Sequence, residues 1–187
     1  MALLLTHDDI IPGKPDYAGR TPLFCASFSG HEGVVRLLLT RHDVDPDKTD
    51  KGHFCDTPLI LASKKGYKGI VRLLLARNDV NPNTPNKDGM TPLNWASCYG
   101  HEGVVRLLLA RDDVNPNKPD NFSRTPLWSA SHNGCEGVVR LLLARDGVDS
   151  DKPCGNGLTP LEIASRHGYL EVVALLQPRT SANSSTG

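Results

Sequence analysis

The sequence predicts an all-α solenoid, built from stacked helix-turn-helix units with projecting hairpin loops between them. Three observations carry that prediction. The phrase Thr-Pro-Leu occurs five times, beginning at Thr21, Thr57, Thr91, Thr125 and Thr159, in steps of 36, 34, 34 and 34 residues. From each threonine to the first leucine of an apolar run is always 16 residues, at Leu37, Leu73, Leu107, Leu141 and Leu175. A glycine stands between the two landmarks in every copy, at Gly30, Gly66, Gly100, Gly134 and Gly168. A fixed period of this size marks supersecondary units that cannot bury an apolar face alone and gain stability by stacking.

Composition narrows the function. The 187 residues carry 21 basic and 21 acidic side chains, so no net field draws the chain to nucleic acid or to an anionic membrane. No apolar run approaches the roughly 20 residues of a membrane span. Met1-Ala2-Leu3-Leu4-Leu5 is too short for a signal peptide and has no basic leader. Five cysteines (Cys25, Cys55, Cys98, Cys135, Cys154) are odd in number and form no C-x-x-C pair, which argues for free thiols in a reducing, intracellular setting. Cys98, at the end of a first helix, is expected to be the most reactive of them.

The chain opens in mid-phrase. Leu3-Leu4-Leu5, His7-Asp8-Asp9-Ile10 and Pro12 repeat one period later as Leu37-Leu38-Leu39, Arg41-His42-Asp43-Val44 and Pro46. Residues 1–15 are therefore read as a partial N-terminal repeat, either part of a longer array or a cap. Full units follow over 16–49, 50–85, 86–119, 120–153 and 154–178, the last acting as C-terminal cap. The polar segment 179–187 reads as a disordered tail.

Within each unit the threonine is a good N-cap, its hydroxyl accepting from a free amide of the first turn. Proline after it suits the first helical position, where no N–H is needed. Leu23, Ala26 and Ser27 and their counterparts mark the buried side of the first helix, and the glycine after it fits a left-handed closing residue. Val34-Val35 and Leu37-Leu38 make a wide apolar stripe at helical spacing on the second helix. Stretches such as Asn81-Pro82-Asn83, Asn115-Pro116-Asn117 and Asn86-Lys87-Asp88-Gly89 read as projecting turns. The two extra residues of the 36-residue step belong to the loop around Asp50 to Asp56, where an insertion costs little, and that loop is expected to project furthest.

With T-P-L-x-x-A, G-H, V-V-x-L-L-L and V-N in register over residues 3–178, the chain resembles the ankyrin repeat family. The resemblance implies antiparallel helix pairs in a curved stack, with protein partners bound on the concave face formed by loops and first helices. Three departures stand out. The family's histidine after T-P-L is replaced by Phe24, Ile60, Asn94, Trp128 and Glu162, which removes a polar ladder, although Thr159 with Glu162 reads as a capping box. The usual glycine after the second helix is missing, and Asp43, Asp79 or Asp113 stands nearby as a candidate left-handed residue. Gly33, Gly69, Gly103 and Gly137 sit early in the second helices at a cost of about 1 kcal/mol each against alanine.

Candidate chemistry is weaker than these structural readings. His31, His101 and Cys135 lie whole repeats apart and cannot share a metal ion, so they read as residues of the inter-helix turn. Arg36, Arg72, Arg106 and Arg140 suggest a basic stripe, but Glu32, Glu102 and Glu136 stand four residues before three of them in the favourable order for surface ion pairs. Lys64, Lys65 and Lys68 cluster without acidic partners. No nucleophile, base and oxyanion arrangement is recognisable, and His132 near Cys135 is separated from it by the Gly134 turn. No cofactor or metal is implied.

Positions that drift between units are those not committed to stacking, and they point to the binding surface. The candidate partner-binding residues are Phe54, Lys64, Lys65, Trp95, Tyr99, Phe122, Trp128 and His132. The two tryptophans have an equal alternative role, filling gaps left by the missing histidine ladder. The chain is thus read as a non-enzymatic protein–protein interaction module, expected to be monomeric, and as a section of a larger intracellular regulatory or recognition protein. A small-molecule or catalytic site on the concave groove, and a purely structural spacer, are the alternatives. A closed pocket with a perturbed His or Cys would favour a chemical site; an open aromatic surface would favour docking.

Overall fold

A computed structural model describes residues 12–52 and 54–177. Most of the partial N-terminal repeat, His53 and the 179–187 tail lie outside them. The described residues form ten helices and no strand, in five antiparallel pairs. The pairs are α1 (Pro22–Ser29) with α2 (Glu32–Leu38), α3 (Pro58–Lys65) with α4 (Lys68–Leu75), α5 (Pro92–Cys98) with α6 (Glu102–Leu109), α7 (Pro126–His132) with α8 (Glu136–Leu143), and α9 (Pro160–His167) with α10 (Leu170–Leu176).

Each first helix starts as its sequence dictates. The threonine is in extended geometry, proline follows it, and the threonine hydroxyl accepts from the amide three residues on, at 3.1 Å for Phe24 and 3.2 Å for Ile60. Thr159 and Glu162 form the expected capping box. Asn94 forms a second one with Thr91 and also donates to the carbonyls of Lys118 and Arg124 at 3.3 and 3.4 Å. The third unit has therefore kept the polar latch that the sequence reading took as lost, with an amide in place of an imidazole. Helices α1, α3 and α9 close on their glycine, and α5 and α7 on the residue before it; Gly30 has φ 77° and its neighbour His31 donates to the Ala26 carbonyl at 2.9 Å.

The second helices end differently from the expectation. Asp43, Asp79 and Asp113 do not adopt left-handed geometry, since Cys55 and Ser123 are the non-glycine residues with positive φ among those described. Instead each aspartate grips an arginine two residues before it: Arg41–Asp43 at 2.9 Å, Arg77–Asp79 and Arg111–Asp113 at 2.5 Å. The held guanidinium reaches back one unit and donates to a free carbonyl at the preceding second-helix end, Arg77 to Arg41 O at 3.0 Å and Arg111 to Leu75 O at 3.2 Å. Helix closure is thus shared between neighbouring units. In the fourth unit the aspartate is replaced by Gly147, which is left-handed at φ 78°.

A single apolar cluster runs through the stack. Leu23, Leu59, Leu93 and Leu127 of the first helices meet Leu38, Leu74, Leu108 and Leu142 of the second, all 0–1% exposed. Small Ala26, Ala62, Ala96 and Ala130, all buried, let the first helices pack closely against one another. The loops are tied by one backbone bond per junction, such as Lys87 N–H to Phe54 O at 2.9 Å and Asn121 N–H to Asp88 O at 3.0 Å. The insertion of the 36-residue step lies in the loop before α3, outside any helix.

The helical glycines have a role that sequence did not reveal. A methyl at Gly69 would overlap the Glu32 carboxylate, one at Gly137 the Glu102 carboxylate, and one at Gly103 would come within 3.2 Å of Lys68 Cδ. Each glycine makes room for the long first side chain of the preceding second helix. Glu32 pairs with Arg36 at 2.9 Å and Glu136 with Arg140, but among the described residues Glu102 and Arg106 form no pair. Glu102 lies against Gly137 instead. The expectation of a pair on every helix with a glutamate is corrected there.

Candidate partner-binding surface

The inner side of the stack is built by the first helices and flanked by the hairpin loops. Its centre is a chain of aromatic and cationic contacts. Lys64 Nζ lies 4.0 Å from the Trp95 ring centre and 5.6 Å from that of Phe54. Trp95 stacks on Tyr99 at 5.7 Å, one helical turn later, with planes 9° apart. Such contacts orient the lysine over π-faces at about 0.5–1 kcal/mol each in exposed sites. Phe54 and Tyr99 remain 44% and 52% exposed, so the platform is wet and open.

A second chain lies two units on. The Arg124 guanidinium sits 4.9 Å from the Phe122 ring centre and is paired with Asp120 at 2.6 Å. Trp128 stacks on His132 at 5.1 Å, and His132 meets the His167 ring edge-on at 4.8 Å. Burial, with His167 and Arg124 nearby, holds the His132 pKa below its ordinary value, so the imidazole is neutral at neutral pH.

The two tryptophans divide between their two readings. Trp128 is buried at 6% exposure, packs with Cys154, Ile163 and Leu158, and donates its indole N–H to Leu158 O at 2.9 Å. It packs between the last two units, in the gap-filling manner of the alternative reading. Trp95 is half-buried, and its indole nitrogen has no hydrogen-bond partner among the described residues. It is held from the outside by Lys64 and Tyr99 rather than from within. Phe122 is 62% exposed at the loop tip, Lys65 is exposed, and His132 is half-buried. Phe54, Lys64, Trp95 and Tyr99 come together; Phe122 and His132 belong to the neighbouring chain.

Phe28, outside the candidate set, lies beside this surface. It is 51% exposed, and Lys65 Nζ lies 5.3 Å from its ring centre. Its variable position at the end of a first helix was the available signal. Phe24, Phe28, Phe54, Leu61, Lys64 and Lys65 line an open groove of about 520 Å³ between the first two units. Arg20, Asp50 and Asp56 face it from the loop side. Burial pushes the Asp56 carboxyl up, against the opposing hydrogen bond from Asn86 Nδ2 at 2.9 Å.

A smaller groove of about 270 Å³ brings Cys98 and His132 to one place with Trp95, Phe122 and Arg124. Burial raises the Cys98 pKa and lowers that of His132, and among the described residues no hydrogen bond joins them. The thiol is shielded rather than activated, and its bond is from Asn133 Nδ2 at 3.4 Å. All five cysteines are unpaired, and Cys25, not Cys98, is the exposed one. No group of three or more candidate metal ligands occurs among the described residues. The turn residues keep structural roles: His101 Nε2 is 3.0 Å from Lys64 O and its ring covers Gly66, as Tyr67 covers Gly30 and Tyr169 covers Gly134.

This architecture is matched by sequence comparison. A family model described as Ankyrin repeats (3 copies) fits residues 42–120 and 113–185, and one described as Ankyrin repeat fits residues 18–51. The chain belongs to the ankyrin repeat family. A similar solved structure is the crystal structure of EF0377, an ankyrin repeat protein, with a TM-score of 0.86 and 24% identity, covering 93% of this chain and 88% of that one. At that identity the likeness speaks for the fold alone. No match was found among curated proteins. Ankyrin repeats are generally protein-interaction modules. No helix among the described residues is long and apolar enough to cross a membrane.

Proposed function

We propose that this ankyrin array is a non-enzymatic docking module that binds a protein partner across the inner side of its second to fourth units. The observation that carries the reading is the run Phe54, Lys64, Trp95 and Tyr99, whose side chains are linked by ring contacts and are exposed or half-buried. The leucines, alanines and glycines around them are consumed by stacking. Aromatic side chains on a rigid scaffold supply buried area at small entropic cost, which is the usual composition of a binding hot spot. Lys65, Phe122 and His132 extend the surface; Trp128 supports it from below.

Affinity capture with mass spectrometry identifies the partner, and calorimetry on the purified pair then tests the face. Tyr99→Ala should weaken binding by at least about 1 kcal/mol, as for a hot-spot residue. Arg106→Ala, exposed on a second helix, should change it by roughly 0–1 kcal/mol at most. The opposite ranking would place the partner on the other side of the array.

A further inference from the structure

The basic side chains at the C-terminal ends of the first helices have no acidic partner on those helix ends. Several arginines of the outer side and loops are paired, Arg36 with Glu32, Arg77 with Asp79, Arg111 with Asp113, Arg124 with Asp120 and Arg140 with Glu136, while Arg106 is not among the described residues. On the first helices, the positions seven and eight residues after each capping threonine hold Lys64, Lys65 and Arg166, two histidines, and no acid. The first helices contain one acid, Glu162, and it is bound to Thr159 at the opposite end of α9. Among the described residues Lys64 and Lys65 form no ion pair; they rest on the rings of Trp95 and Phe28, with ammonium donors left over for a ligand.

Cations in a last helical turn also complement the helix dipole. That does not account for these, because α1 and α5 close with no basic residue in that turn. On the loop side the groove is compensated: Asp50 acts on Arg20, and Lys64 lowers the cost of the Asp56 charge. The strip along the C-terminal ends of the first helices, beside Phe28 and Tyr99, therefore holds Lys65, with Lys64 shared between it and Asp56 on the loop side.

We propose that the partner presents an acidic peptide segment to this strip, its carboxylates over Lys64 and Lys65 and its apolar or aromatic side chains against Phe28, Trp95 and Tyr99. This rests on the docking role proposed above and adds the chemistry of what docks. Complementary charge gives register and association rate, while the rings give buried area. A chain of zero net charge offers no overall field towards an anionic bilayer. A nucleic acid needs more phosphate contacts than three permanent cations provide, in a chain of zero net charge.

The test is an unbiased phage-displayed peptide library panned on the whole chain, with the enriched peptides synthesised and titrated. They should be net acidic and carry aromatic or aliphatic residues. The double variant Lys64→Glu, Lys65→Glu should bind them at least roughly ten-fold more weakly, and lysine-for-acid versions of the peptides should regain affinity for it. Lys65 is exposed and Lys64 half-buried, and an unchanged circular dichroism spectrum verifies the fold. Enriched peptides that are neutral or basic, yet lose affinity with Tyr99→Ala, would overturn the acidic assignment and leave the docking face standing. Binders indifferent to all these substitutions would overturn both. So would binding only to vesicles of equal parts phosphatidylserine and phosphatidylcholine, or only to a single-stranded oligonucleotide.

Discussion

At the scale of single residues, the repeat makes each unit a control for the others. Asn83 Oδ1 accepts from Asn115 N–H at 2.8 Å while its amide donates to Asp113 O at 2.6 Å, and Asn117 does the same with Asp149 N–H and Gly147 O. The corresponding residue in the first full unit is Asp47. Its Oδ2 accepts from Asn81 N–H at 2.8 Å, but its Oδ1 is buried with no partner, where the asparagines place a donor. Burial pushes the Asp47 pKa up, reinforced by Asp45 and Asp79. A carboxyl whose folded-state pKa is raised is stabilising only when protonated, so Asp47 costs stability at neutral pH and that cost fades as pH falls through its folded-state pKa. Asp47→Asn should therefore raise stability at pH 7 by about 1 kcal/mol, with a smaller gain in acid. Chemical denaturation at both pH values reads the difference; an equal gain at both would refute the account. A second residue-scale outcome concerns Ser123, left-handed at φ 61° where the third and fifth units have Gly89 and Gly157. Ser123→Gly should stabilise by about 0.5–1 kcal/mol, the left-handed strain less the added chain entropy of glycine. Thiol chemistry follows exposure: a thiol reagent under native conditions should label Cys25 first and Cys98 slowly, and five thiols should titrate after denaturation without reductant.

Among elements, the second helices carry the cost of their glycines for unequal reasons. A methyl at Gly33 would meet nothing within 4 Å, whereas at Gly69 it would displace the Glu32 carboxylate. Gly33→Ala should raise stability by up to about 1 kcal/mol, the helix-propensity difference, and Gly69→Ala by clearly less. Thermal melts of the two variants side by side check it. The pattern is legible only when two units are seen together, because the residue that needs the space lies one period earlier in the chain. The same holds for helix ends: Arg77 and Arg111 serve carbonyls of the preceding unit, a link with no local spacing to announce it.

For the whole molecule, stability should be uneven along the stack. Inner units have covered neighbours on both sides, while Leu170 of the last helix is 73% exposed and α10 ends at Gln177 in extended geometry. Repeat arrays of this kind follow nearest-neighbour energetics, so opening begins at the ends. Amide hydrogen exchange should be slowest around Leu107 to Leu109 and fastest in the outer units; uniform protection would count against it. Leu108→Ala, at a fully buried site, should cost about 2–5 kcal/mol, and Leu170→Ala far less.

What the chain determined by itself is everything that acts within one unit: the Thr-Pro starts, the glycine closures, the leucine and valine stripes, and the period that stacks them. These depend on neighbours within a few residues, so sequence spacing contains them. The aromatic and cationic composition of the surface was legible too, since positions not needed for stacking were free to differ. Which of those side chains are available was decided only by tertiary structure. Trp95 and Trp128 stand 33 residues apart, one short of the 34-residue step, so they occupy neighbouring register positions. The residues three and four after the capping threonine point to different sides of the first helix, and Leu158 and Ile163 of the next unit close over Trp128. Trp95, one position further round, meets Lys64 of the preceding unit and remains partly open. Burial is a property of the neighbour a side chain meets, and the neighbour is supplied by the stack.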